Sequence, residues 1–108
     1  MSIPNAAARL FTPVDRSALQ RAQDRMRPWL VTVTVAGEYE SLAAVAEVSS
    51  PAADDVRWVI YRDAEGVLMD DLQSNSAGRY STVDDAVARV VSTIQAAVTA
   101  IPATIQTR

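Results

Sequence analysis

The sequence predicts a small α+β domain. A mainly antiparallel sheet of three to four strands is packed on one face by an N-terminal and a C-terminal helix, in the order α-β-(α)-β-β-α. Three observations predict it. Segments with a helical apolar period lie towards the two ends of the chain, segments that alternate with period two lie between them, and 108 residues leave room for a single core. One domain is expected over residues 1–108, with residues 1–11 as a flexible arm and 102–108 as a tail.

Thr12-Pro13-Val14-Asp15 is a helix start. Thr12 can cap, Pro13 suits the first helical position, and Asp15 stands three residues after the cap, where a carboxylate satisfies orphan N–H groups. The spacing predicts a helix over about residues 13–27, with Val14, Ala18, Leu19, Ala22 and Met26 on its inner face. Pro28 is expected to end it.

Trp29 to Ala36 alternates as a strand should. Leu42 to Ser49 reads two ways. Its alanines favour a helix capped by Ser41, and its valines favour a strand, which would make a four-stranded meander. The match between residues 36–42 and 77–83 favours the helix, because Thr82-Val83-Asp84-Asp85 is itself a helix start.

Val56 to Asp63 is a strand, Ala64-Glu65-Gly66 a turn, and Val67 to Leu72 the hairpin partner. Gln73 to Gly78 is expected as a polar loop. A last helix over about residues 83–100 carries Val83, Val87, Val90, Val91, Ile94, Ala97, Val98 and Ile101 on one stripe, with Pro102 as its stop.

Missing residue types narrow the chemistry. The chain has no Cys and no His, and all ten of its basic residues are Arg. That removes thiolate and Ser-His-Asp catalysis, disulfides, ordinary zinc sites and Schiff bases. Gly37, Gly66 and Gly78 are too scattered for a dinucleotide turn. No cofactor and no metal are expected, and Asp63-Ala64-Glu65-Gly66 lacks the spacing and closing Glu of a calcium loop. No run is long and apolar enough to span a membrane, and the first residues lack the features of a secretory signal, so a cytoplasmic location is expected.

Charge is segregated. Residues 1–37 carry five Arg against two acids, and residues 38–85 carry eleven acids against three Arg. Such an acidic middle creates a field that attracts a basic partner and repels phosphates. The expected function is therefore a non-enzymatic one. The protein would bind a basic macromolecular partner through Asp54, Asp55, Asp63, Glu65, Asp70 and Asp71, as a small inhibitor or accessory factor of a bacterium, phage or mobile element. The alternative is a regulator that contacts nucleic acid through Arg16, Arg21, Arg25 and Arg27, and a carboxylate-based enzyme stands third. Free nucleic acid is not an expected ligand of so acidic a chain. Ala88, Ser92, Ala96 and Thr99 form a small-residue face on the last helix, where a homodimer contact is expected.

Overall fold

The computed structural model describes residues 8–9, 11–36, 45–53 and 55–106. A short strand β1 (Ala8–Arg9) precedes helix α1 (Pro13–Met26), which passes into a 3-10 turn (Arg27–Trp29). Strands β2 (Val33–Ala36), β3 (Val45–Ser49), β4 (Val56–Asp63), β5 (Gly66–Asp71) and β6 (Ser76–Tyr80) follow, and helix α2 (Val83–Gln106) closes the chain. The five longer strands form an antiparallel meander in sequence order. β1 pairs with the end of β4, at Arg62 and Asp63, just beyond the last β3 pair at Tyr61. The class is α+β, with an antiparallel sheet and one helix at each end.

Strand register sorts the side chains into two faces, since residues directly opposite each other project to the same side. One face carries the rows Val33–Val48–Trp58–Asp71–Ser76 and Val35–Ala46–Ile60–Met69–Gly78. This inner face meets Ala18, Leu19, Ala22 and Met26 of α1 and Val83, Ala86, Val87, Val90, Val91 and Ile94 of α2 in one buried cluster. The outer face carries Val45–Tyr61–Leu68–Arg79 and Thr34–Glu47–Val59–Asp70–Ala77. The two described helices pack on each other and on the inner side.

Several expectations are corrected. Residues 45–49 are a strand and not a helix. Ala46 and Val48 are buried and Val45 and Glu47 partly exposed, a period-two pattern held by pairing on both sides that overrides the helical preference of alanine. Ser41 and the first of the matched segments lie mostly outside the described residues.

Half of the expected loop before Tyr80, residues 76–78, belongs to a fifth strand of the meander, β6, since its short residues lie at a sheet edge and need no apolar alternation, while residues 73–75 form a turn. The strand expected from Trp29 begins only at Val33. Pro28 sits inside the 3-10 turn, and the reversal comes at Leu30, which adopts a left-handed conformation with its N–H donated to the Arg27 carbonyl at 2.9 Å. Val14 is 71% exposed, because the buried position on that turn belongs to Asp15.

Ala97 is exposed as well. Pro102 lies within α2, which runs on to Gln106, and an interior proline removes one N–H donor without always ending a helix. Within the expected arm, residues 8 and 9 are held by β4 and Phe11 is buried.

The strand character of residues 45–49 has a measurable consequence. Val48→Ala, at a fully buried position between Val33 and Trp58, should lower unfolding stability by about 2 kcal/mol. Glu47→Ala, on the outer face, should change it by less than about 0.5 kcal/mol. Urea denaturation checks both, and equal effects would contradict the alternation.

Candidate functional site

Hydrogen bonds divide the expected acidic residues into two groups. Asp63 closes the β4–β5 turn, where its Oδ1 accepts the N–H groups of Glu65 at 2.8 Å and Gly66 at 3.0 Å. Its two oxygens also take both guanidinium nitrogens of Arg79 from β6, each at 2.9 Å. These bonds hold its carboxyl well below the ordinary aspartate range. Gly66 has a φ of 153°, and an added Cβ would come within 3.0 Å of the Tyr80 carbonyl, so glycine is required there.

Asp71 repeats the device one hairpin later. Its Oδ1 accepts the N–H groups of Gln73 at 3.0 Å and Ser74 at 3.3 Å, and Arg57 reaches it at 3.3 and 3.4 Å. Arg57 can do so because the register jumps from Val48↔Trp58 to Ser49↔Val56, which leaves Arg57 as the extra residue of a bulge. The Arg57 guanidinium also lies 4.5 Å from the centroid of the Trp58 ring. Burial pushes the Asp71 carboxyl up, but Arg57 and the turn amides outweigh it and hold the group below its usual value.

The remaining acids are differently placed. Asp70 projects to the outer face, where its only hydrogen bond among the described residues is a long one, 3.4 Å, from the Tyr61 hydroxyl. Burial and the neighbouring Asp70 raise the Tyr61 phenol above its ordinary range, so it stays protonated at neutral pH. Asp55 and Glu65 are exposed and pair with no arginine among the described residues. Asp54 lies outside the described residues.

Glu47, which the sequence reading passed over, stands in the same cross-strand row as Asp70, with Val59 between them. Its signal was the polar residue in Ala46-Glu47-Val48, visible only once the segment is read as a strand. The neighbouring row presents Val45, Tyr61 and Leu68, all partly exposed.

The arginine helix is partly neutralised. Arg21 grips Asp84 at the start of α2, at 2.9 and 3.2 Å, and Arg27 pairs with Asp24 at 2.8 Å. Arg16 and Arg25 are exposed. The two ends and the acidic middle are therefore interleaved by Arg21–Asp84 and by the buried pair Arg62–Asp15. Ala88, Ser92 and Ala96 are exposed opposite the buried stripe of α2, and the Thr99 side chain lies outside those described.

Comparison with protein-family models, curated proteins and solved structures finds no match. Among the described residues no helix is long and apolar enough to cross a membrane.

The Asp15–Arg62 pair generates a pH prediction. Arg62 donates to both Asp15 oxygens at 2.6 and 2.9 Å, and the Asp15 side chain is only 3% exposed. Burial raises the carboxyl, yet Arg62 and Thr12 outweigh it and hold the group below the ordinary aspartate value. A depressed folded-state value stabilises the fold above the unfolded value, and that contribution is lost as pH falls below 3.8 towards the folded value. Asp15→Asn should cost about 3 kcal/mol near neutral pH. It should also flatten the acid limb of a stability-against-pH profile, and a wild-type acid limb in the variant would contradict the assignment.

Proposed function

We propose that this chain is a non-enzymatic binding protein whose outer sheet face docks onto a basic surface of a protein partner, as a small inhibitor or accessory factor would. The observation that carries the reading is the pairing of two carboxylates, neither in an ion pair among the described residues, with an apolar row on that face. Glu47 and Asp70 flank Val59, beside Val45, Tyr61 and Leu68. Two strand spacings separate the carboxylates by about 10 Å.

An arginine or lysine of the partner can lay its aliphatic stem on Val59 or Tyr61 and place its charge between Glu47 and Asp70. The carboxylates then steer encounter and set register, while the apolar row supplies buried area. Asp63 and Asp71 are already committed to turns and to Arg79 and Arg57, so this reading gives the docking charge to Glu47 and Asp70. The free carboxylates also disfavour nucleic acid, whose phosphates they repel.

The test begins with capture of the partner from a host lysate at low and high salt. With that partner, Glu47→Gln combined with Asp70→Asn should weaken binding about tenfold at low ionic strength, mainly through a slower association rate, and less at high salt. Asp71→Asn should act chiefly through stability, because it releases Arg57. Affinity unchanged in the Glu47/Asp70 double variant would sink the outer-face reading.

The exposed small residues of α2 favour a second, separate contact, a homodimer. Ala96→Arg should convert it to monomer without lowering the melting temperature, as read by sedimentation velocity. A monomeric wild-type protein well above micromolar concentration would remove that contact.

A further inference from the structure

The two edges of the sheet are treated differently. At the β2 edge, α1 reaches over the strand and Gln23 Oε1 accepts the Val33 N–H at 2.8 Å. β6 pairs with β5 on one side, and among the described residues no strand pairs with its other side. Sheets usually blunt an edge with lysine, proline, a bulge or a covering element, because unpaired N–H and C=O groups are a template for another strand. Ser76-Ala77-Gly78-Arg79-Tyr80 has no proline or lysine, and its one charge is turned to the outer face and tied to Asp63.

Beside that edge lies a cleft of about 330 Å³ between β6 and α2. Trp58, Met69 and Tyr80 line it from the sheet, and Arg89 and Thr93 from α2. Gly78 lets the Tyr80 ring lie close over the strand, since an added Cβ would sit 3.0 to 3.3 Å from that ring. Arg57 at the same cleft is neutralised by Asp71. Arg89 is the sole charged residue between positions 86 and 107, is exposed, and makes no ion pair among the described residues. The rim is thus net positive over an aromatic floor.

We propose that this groove receives an extended segment of a partner protein, added as a strand to the edge of β6 that no strand among the described residues pairs with. An apolar side chain of that segment enters the cleft beside Trp58 and Tyr80, and a carboxylate, from an acidic side chain or the segment's C-terminus, pairs with Arg89. Main-chain bonds to the edge give affinity, while the cleft and Arg89 give selectivity. The groove is lined from the helix side of the sheet, so it stands or falls independently of the outer-face reading.

The test selects random short peptides displayed on phage against the wild-type protein, then titrates synthetic copies of the enriched peptides. Enriched peptides should alternate apolar residues around an acidic one or end in an apolar residue with a free C-terminus. Amidating the C-terminus distinguishes the two carboxylate sources. Arg89→Glu, at an exposed position that leaves the core untouched, should weaken binding about tenfold or more. Thr93→Arg, which fills the cleft from the helix, should do the same, and circular dichroism checks that both variants stay folded.

Bound peptide should slow amide hydrogen exchange in Ser76–Tyr80. The proposal is overturned if no peptide is enriched, if enriched peptides bind Arg89→Glu as tightly as wild type, or if protection falls on β3 and β4 instead of β6. It is overturned too if the Ser76–Tyr80 amides gain protection with rising protein concentration in the absence of peptide, for then a second copy of the chain occupies the edge.

Discussion

The buried pair between Asp15 and Arg62 ties the two layers of the molecule together. Asp15 accepts the Thr12 N–H at 2.9 Å and its own N–H goes to the Thr12 hydroxyl at 3.1 Å, so the residue that closes the capping box of α1 is also the anchor for a sheet arginine. One carboxylate thereby neutralises the positive end of the helix and a guanidinium on the helix-facing side of β4. A buried carboxylate needs partners for its oxygens, and here the cap amide and the Arg62 guanidinium supply them jointly. The arrangement sets where α1 enters the inner face, and Leu19, Ala22 and Met26 then meet the sheet residues of the core.

A single motif recurs at the ends of β4 and β5. An aspartate at the strand end accepts the amides of the following turn and is held by an arginine from another strand of the sheet: Asp63 of β4 with Arg79 of β6, across β5, and Asp71 of β5 with Arg57 of the adjoining β4. Local side-chain acceptance shapes the turn, and the arginine links it to the neighbouring strand. The acidity of the middle segment is consequently divided between scaffold and surface. Charges used in turns are screened by their arginines, so the negative field of this segment comes, among the described residues, from Glu47, Asp55, Glu65, Asp70 and Asp85.

A two-layer design has a further consequence. With α1 and α2 both on the inner side, the buried core lies on that side apart from the cleft beside β6, while the outer face keeps Val45, Tyr61 and Leu68 only partly covered. Sheet edges follow the same logic. Gln23 of α1 occupies a donor at the β2 edge, whereas β6 lies next to a cleft. The surfaces proposed for binding are those that the packing of two helices on one face leaves incomplete.

Local chemistry was legible in the sequence wherever one segment sufficed to satisfy it. Thr12 and Thr82 accept N–H groups of Asp15 and Asp85 as capping residues should, both helices start where those caps place them, and Val56 to Asp63 is a strand with Trp58 and Ile60 inside. Features that depend on a neighbour in space were not legible. The alanines of residues 43–46 cannot reveal that Ala46 and Val48 are paired between β2 and β4, and the polar residues of β6 carry no apolar period because one side of that strand is an edge. Asp63 and Asp71 look like surface charge in a one-dimensional count, and only the fold brings Arg79 and Arg57 to them. Composition determined which chemistries this chain lacks and local periodicity determined its helices and central hairpin. Tertiary structure alone decided which carboxylates stay free, because neutralisation depends on distances across strands that sequence separation does not encode.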